Sequence, residues 1–173
     1  MSDDDTIIPI TVEDIHLAQA VYRATGRPIV ATEWEQVKTA LRENKRKIFI
    51  AQTATGTPIG QVHLNFAPQY VMFQRLKIPE IQDLLTVPTH RRHGIGVALI
   101  NACEDAARAA GASDIGISFG LDASFGAAQR LYIRHGYVPD GAGVMYDRKA
   151  VPVGAMKPLD DLFCLMLTKD LSV

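Results

Sequence analysis

The segment from Leu85 to Gly96 reads LTVPTHRRHGIG: the end of an apolar, β-prone run, a proline, a basic loop, two glycines and the start of an amphipathic stretch. Each part suits an anion. A helix N-terminus presents N–H groups without intrahelical acceptors and a partial positive charge. Gly94 and Gly96 lack a Cβ, so a bulky anion can approach the main chain, and Arg91 and Arg92 add charge-assisted donors. Together they describe a pyrophosphate cradle. Residue types argue against two familiar nucleotide loops. No Lys-Ser or Lys-Thr follows the glycines, as a P-loop requires, and Leu99 stands where a Rossmann fingerprint places its third glycine.

A second chemical pattern is Gly116-Ile117-Ser118-Phe119-Gly120, which satisfies the G-x-S-x-G nucleophile elbow, with Asp122 and His135 following in the order a hydrolase needs. The elbow demands a sharp turn straight into a helix. Ser118 instead lies inside an apolar, strand-like run, so a serine hydrolase is the rival reading. His63 and Asn65 alternate with apolar neighbours, as polar residues on a half-exposed strand do without any ligand. His90 and His93 have no zinc spacing with Cys or carboxylate partners, so no metal is expected.

The elements that must position these groups follow from periodicity. Thr11 with Asp14, and Thr32 with Glu35, are capping patterns ahead of two helical stretches, the first closed by Gly26 and Pro28 and the second ending in the polar run Arg42 to Lys47. Residues 48–52 and 58–66 are β-prone runs separated by Thr53-Ala54-Thr55-Gly56-Thr57, which suits a hairpin. Residues 80–87 form a strand halted by Pro88. From Gly96 to Ala110 the apolar residues Leu99, Cys103, Ala106 and Ala110 share one helical face, and Gly111 stops the helix. A strand over 115–121, a helix over 127–134, a strand from Tyr137 and a strand over 162–168 complete a mixed α/β pattern.

The 173 residues, 47% of them hydrophobic, suffice for one core, so a single domain over 1–173 is expected. Lys plus Arg number 18 and Asp plus Glu 19, a net charge of -1, which excludes a global field for nucleic acid or acidic membrane. Any anion is gripped locally. Cys103 and Cys164 lie among apolar residues and read as core thiols. The start MSDDDTIIPI has neither a basic leader nor an apolar stretch, and no run approaches the ~20 apolar residues of a membrane span. A cytoplasmic location is expected.

Arg91-Arg92-His93-Gly94-Ile95-Gly96 matches the R/Q-x-x-G-x-G/A signature by which GNAT-superfamily N-acyltransferases hold the coenzyme A pyrophosphate. Ala128-Gln129-Arg130-Leu131-Tyr132 with Gly136-Tyr137 is similar to the family's A-x-x-L-Y…G-F/Y element. In outline the chain resembles that family over most of its length. It departs at Phe125, where the family often has Asn, which puts one cofactor contact in question.

The resemblance implies a mostly antiparallel central sheet with a splayed strand pair and helices on both faces. It also implies transfer of an acetyl group from acetyl-CoA to a primary amine of a small molecule or peptide. Leu85, Thr86 and Val87 would then offer backbone groups to the pantetheine, and Arg91, Arg92, His93, Gly94, Ile95, Gly96 and Val97 would hold the pyrophosphate. Tyr132 takes the family's position for the proton donor to the leaving thiolate. Glu80, eleven residues before Arg91, has the separation of a catalytic Glu and is the first choice for base. Asp83, three residues on, ranks second because strand alternation turns it to the other face unless a bulge intervenes, and it is assigned to the substrate. Related enzymes often form homodimers. A non-catalytic acyl-CoA-binding module is the further alternative, keeping the cradle and not using Tyr132. The acceptor pocket falls to the first two helices and to loops 66–77 and 141–158, with Trp34, Tyr70, Phe73 and Tyr146 as aromatic candidates for its walls.

Overall fold

The computed structural model describes residues 4–172. In chain order its elements are β1 Thr6–Ile10, α1 Ile15–Ala24, α2 Ala31–Arg42, β2 Arg46–Gln52, β3 Pro58–Asn65, α3 Val71–Leu76 and β4 Glu80–Thr86. After these come α4 Ile95–Ala109, β5 Asp114–Gly120, α5 Gly126–Arg134, β6 Val138–Tyr146, β7 Lys149–Ala150 and β8 Phe163–Asp170. This is a mixed α/β chain. It divides into two compact units, one made of residues up to 67 with 81–106, the other of 68–80 with 107 onward.

In the first unit the strands run in the order β1-β2-β3-β4, with β1/β2 and β2/β3 antiparallel. Sequence patterning overlooks β1 because Pro9 lies within its five residues. An edge strand tolerates a residue without an N–H. Ile48 pairs with His63 and Ile50 with Gln61, so these side chains share one face of the sheet. On that face Ile10, Ile15, Ala18, Trp34, Ile48 and Ile50 form a core covered by α1 and α2. On the opposite face Gly60 lets α4 rest directly on β3: a Cβ there would lie 2.9 Å from Ile95 Cγ2, 3.0 Å from the Leu85 carbonyl oxygen and 3.2 Å from Leu99 Cδ1.

Ahead of α1, the Thr11 N–H and hydroxyl both donate to Asp14 Oδ2, at 3.3 and 3.0 Å. Asp14 is itself the N-cap of α1 and makes no side-chain cap bond, so Thr11 stands outside that helix, and the second expected capping box does not form either. Helix α2 begins at Ala31 with Val30 as its N-cap, which places Thr32 inside the helix.

The second unit has the order β5-β8-β6-β7, antiparallel throughout. Its core gathers Tyr70, Phe73, Ile78, Met145, Cys164 and Met166. Phe73 of α3 lies where a Cβ on Gly116 would stand, and the Gly116 N–H donates to the Pro79 carbonyl at 2.8 Å. These contacts tie the approach to β4 onto β5. Among the described residues no helix is long and apolar enough to cross a membrane.

Candidate active site

The cradle is built where β4 gives way to α4. The Val87 N–H donates to the Ile59 carbonyl at 2.9 Å, Pro88–His90 make one 3-10 turn, and Arg91, Arg92, His93 and Gly94 are all exposed before α4 starts at Ile95. The first helical bond joins the Ala98 N–H to the Gly94 carbonyl at 3.0 Å. The N–H groups of Ile95, Gly96 and Val97 precede it and have no acceptor one helical turn back. Gly94 has φ +80, the left-handed region that a Cβ disfavours. Arg92 adopts φ +66 without being glycine, a local strain of about 1 kcal/mol. Arg91 Nε donates to the Thr86 carbonyl at 3.2 Å, which holds its guanidinium over the end of β4. No acidic side chain stands in the first turn of α4. Exposed N–H groups, guanidinium charge and missing carboxylates together fit a diphosphate.

Of the carboxylates on β4, Glu80 is wholly buried and ion-paired, its Oε1 3.0 Å from Arg148 Nη2. Asp147 and Arg148, at φ +49 and +62, form the two-residue turn between β6 and β7, the geometry of a primed hairpin turn. Arg148 Nη1 also donates to Ser118 Oγ at 2.7 Å. Ser118 lies within β5 opposite Met166, so the strand-to-helix elbow required of a hydrolase nucleophile is absent and that rival loses its geometry. Nothing in the sequence marks Arg148. Its role appears only when the hairpin turn brings it to Glu80 and Ser118.

Asp83 has φ +51 within β4, a local break in the strand that ends strict alternation. Its side chain is 31% exposed, with Oδ2 3.4 Å from Nδ1 of His63, and the Tyr22 hydroxyl hydrogen-bonds to it. Burial first, then the Asp83 charge, pushes the Tyr22 phenol well above its ordinary range. His63 is 1% exposed, and Arg46 Nη1 lies 2.9 Å from the same Nδ1. Burial pushes the imidazole down to about 4, against the pull of Asp83 and with help from the Arg46 charge. The ring is therefore neutral at pH 7, and its contact with Asp83 is not an ion pair. Arg46 Nη2 donates to Gln82 Oε1 at 3.1 Å and Asn65 Nδ2 to the same oxygen at 3.4 Å. Trp34 meets Tyr22 edge-on at 5.0 Å and His63 at 6.3 Å between ring centroids. His63 and Asn65, which alternation presents as ordinary strand residues, thus belong to a polar cluster around Asp83.

In the second unit Tyr132 projects from α5 with its ring 6.4 Å from those of Phe119 and Tyr137. It is 6% exposed, and burial pushes its phenol up to about 12. Among the described residues no side chain hydrogen-bonds its hydroxyl. Two other aromatics expected near the acceptor are tied to carboxylates: the Tyr70 hydroxyl donates to Asp140 Oδ2 at 2.8 Å, and that of Tyr146 to Asp160 Oδ2 at 3.0 Å. Cys103 and Cys164 are free and buried, and burial pushes both thiols up. Among the described residues no group of three His, Cys, Asp or Glu side chains is placed to hold a metal ion.

Comparison with known proteins gives a consistent picture. The model of the acetyltransferase (GNAT) family matches residues 13–137. Among solved structures, yncA from Salmonella typhimurium, with its cofactor acetyl-CoA, is similar at a TM-score of 0.70 and 16% identity over 98% of this chain and 95% of that one. A chimera of the spermidine N-acetyltransferase SpeG from Vibrio cholerae and hSSAT is similar at a TM-score of 0.69 and 15% identity, covering 98% of this chain and 97% of the other. The IAA acetyltransferase of Bacillus cereus is similar at 0.65 and 16%, covering 96% and 99%. At these identities the likeness is one of fold. No curated protein sequence matches the chain.

Proposed function

The chain belongs to the GNAT acetyltransferase family, and from that premise we propose that it moves the acetyl group of acetyl-CoA directly onto the primary amine of a small molecule or peptide. The observation that carries the reading is the exposed Arg91–Gly94 loop running into an α4 N-terminus free of acidic side chains. Bound acetyl-CoA supplies the thioester. The chain supplies the grip: Arg91, Arg92, His93, Gly94, Ile95, Gly96 and Val97 for the pyrophosphate, and the backbone of Leu85, Thr86 and Val87 for the pantetheine amides. Tyr132, by its position in the family's helix, gives its proton to the departing thiolate.

An ammonium group must lose a proton before it can attack, since amines of reference pKa ~8 to ~10 arrive mostly protonated at pH 7. Both β4 carboxylates are candidates for taking it. Glu80 is first by spacing, but it is sealed in its pairing with Arg148. Asp83 is partly exposed and is the carboxylate an incoming ammonium can reach. Asp83 therefore takes the base role in this proposal, and Glu80 steadies the hairpin that carries Arg148. The reading treats the chain as one catalytic domain working in the cytoplasm, with a homodimer as the assembly that sedimentation would test.

Calorimetry with acetyl-CoA tests the grip: the protein should bind, and Arg91→Ala should bind about tenfold more weakly. Folded protein that gives no heat would sink the proposal. A screen of thiol release over amine classes tests the chemistry, with Asp83→Asn expected to slow turnover far more than Glu80→Gln. The reverse order would return the base role to Glu80. Binding without turnover of any amine would leave only an acyl-CoA-binding module.

A further inference from the structure

We infer that His63 and Gln61, on the helix-covered face of β3, recognise the acceptor, and that they select amines bearing a neutral oxygen, a hydroxyl or an amide carbonyl, close to the nucleophilic nitrogen. This rests on the acetyl-transfer reading above. Every guanidinium nitrogen is a donor, so the 2.9 Å contact from Arg46 Nη1 obliges His63 Nδ1 to accept. The ring proton then sits on Nε2. That Nε2–H is buried and has no acceptor among the described residues. Two residues earlier on the same strand face, Gln61 is 0% exposed and neither its Oε1 nor its Nε2 has a partner there.

Unpaired buried donors and acceptors destabilise a fold, and native proteins rarely keep several together without a use. Opposite them stand Ile48 and Ile50, beside which apolar residues would pack better. A ligand that pairs with His63 Nε2 and the Gln61 amide explains why polar side chains occupy these positions. Its chemistry follows from the neighbours. The partly exposed Asp83 carboxylate, 3.4 Å from the ring, offers a counter-charge to an ammonium and repels a carboxylate. The group that meets Nε2–H is therefore an uncharged oxygen.

The test compares kcat/KM for 3-amino-1-propanol and glycinamide with that for butylamine, at saturating acetyl-CoA and corrected for amine protonation. The wild-type protein should favour the oxygen-bearing amines by about tenfold or more, because a site built to donate a hydrogen bond rejects the analogue that cannot accept it. A glutamine side chain places an N–H near the position of imidazole Nε2, whereas asparagine reaches only that of Nδ1. His63→Gln should therefore keep most of the preference, and His63→Asn should lose it although it can still face Arg46. Acetyl-CoA affinity by calorimetry should be the same in both.

A preference kept in His63→Asn and lost in His63→Gln would overturn the inference, since His63 would then act only through Arg46. If the His63 variants fold poorly, Gln61→Met serves instead. It should melt no lower than the wild type and still lose preference, whereas a lower melting temperature with unchanged preference would overturn the assignment. Turnover without preference for oxygen-bearing amines defeats this inference alone. No turnover with any amine, and no heat with acetyl-CoA, would defeat it together with the acetyl-transfer reading.

Discussion

A tyrosine serves as a proton donor only while its hydroxyl keeps its proton. Burial pushes Tyr132 up to about 12, above the ordinary phenol value of 10.0, so it stays protonated across the neutral range. Tyr132→Phe should lower kcat by about a hundredfold, within the usual yield of positioned acid catalysis. Acetyl-CoA affinity should hold, and the pH–rate profile between about pH 6 and 9 should keep its shape because Tyr132 does not titrate there. Unchanged kcat would leave the ring a packing role. His63 shifts the other way, down to about 4 from 6.5. The folded protein keeps the ring neutral while the unfolded chain takes up a proton near pH 6.5. Stability due to this ring is whole above that pH and is lost as the pH falls through about 4, by about 3 kcal/mol in all. Melting temperatures should therefore fall more steeply between pH 7 and 4.5 in the wild type than in His63→Gln. Equal slopes would mean that another group governs acid unfolding. The residues of the cradle were legible in the sequence because they are contiguous. The His63 cluster was not: Arg46 and His63 are 17 residues apart, and only the pairing of β2 with β3 and the cover of α1 and α2 turn an ordinary alternating histidine into a buried one.

An element is useful to a site when something fixes where it ends, and for α4 that is the close seat on β3. The Leu85 carbonyl and Ile95 both crowd the space above Gly60. The first belongs to the strand that enters the cradle and the second is the first residue of the helix that leaves it. In Gly60→Ala the backbone carbonyl cannot swing aside, so Ile95 and the start of α4 must move. Overpacking of this kind costs about 1–3 kcal/mol. The variant should melt lower and bind acetyl-CoA more weakly although residue 60 touches no ligand. A lower melting temperature with unchanged affinity would show that the helix start does not depend on this seat. The long helices and hydrophobic strands were readable from their periodicity. Helix α3 was not, since its six residues span less than two turns of pattern. The break at Asp83 was hidden too. A left-handed aspartate inside a strand has no sequence mark, and Asp83 is the partly exposed carboxylate of β4 while Glu80 is buried.

At the scale of the whole molecule, length and composition reveal one core's worth of apolar residues but not the division into two discontinuous units, which depends on contacts far apart in the chain. Net charge, by contrast, is fully legible, and it carries a consequence for binding. With a balance of -1 no long-range field draws in an anionic cofactor, so attraction depends on local charge, that of the exposed Arg91 and Arg92 and of the α4 N-terminus. Screening acts over about 10 Å at 0.1 M salt, a range that leaves contacts at the cradle largely intact. Between about 50 and 200 mM salt the acetyl-CoA dissociation constant should rise only a few-fold, against losses of about 10³ or more for proteins that track a phosphate backbone. Arg92→Ala should weaken binding at low salt and flatten the dependence further, because one of its sources is gone. Titrations of both proteins over that range would decide it. A wild-type slope that Arg92→Ala leaves untouched would mean that the charge felt by the cofactor lies outside the loop.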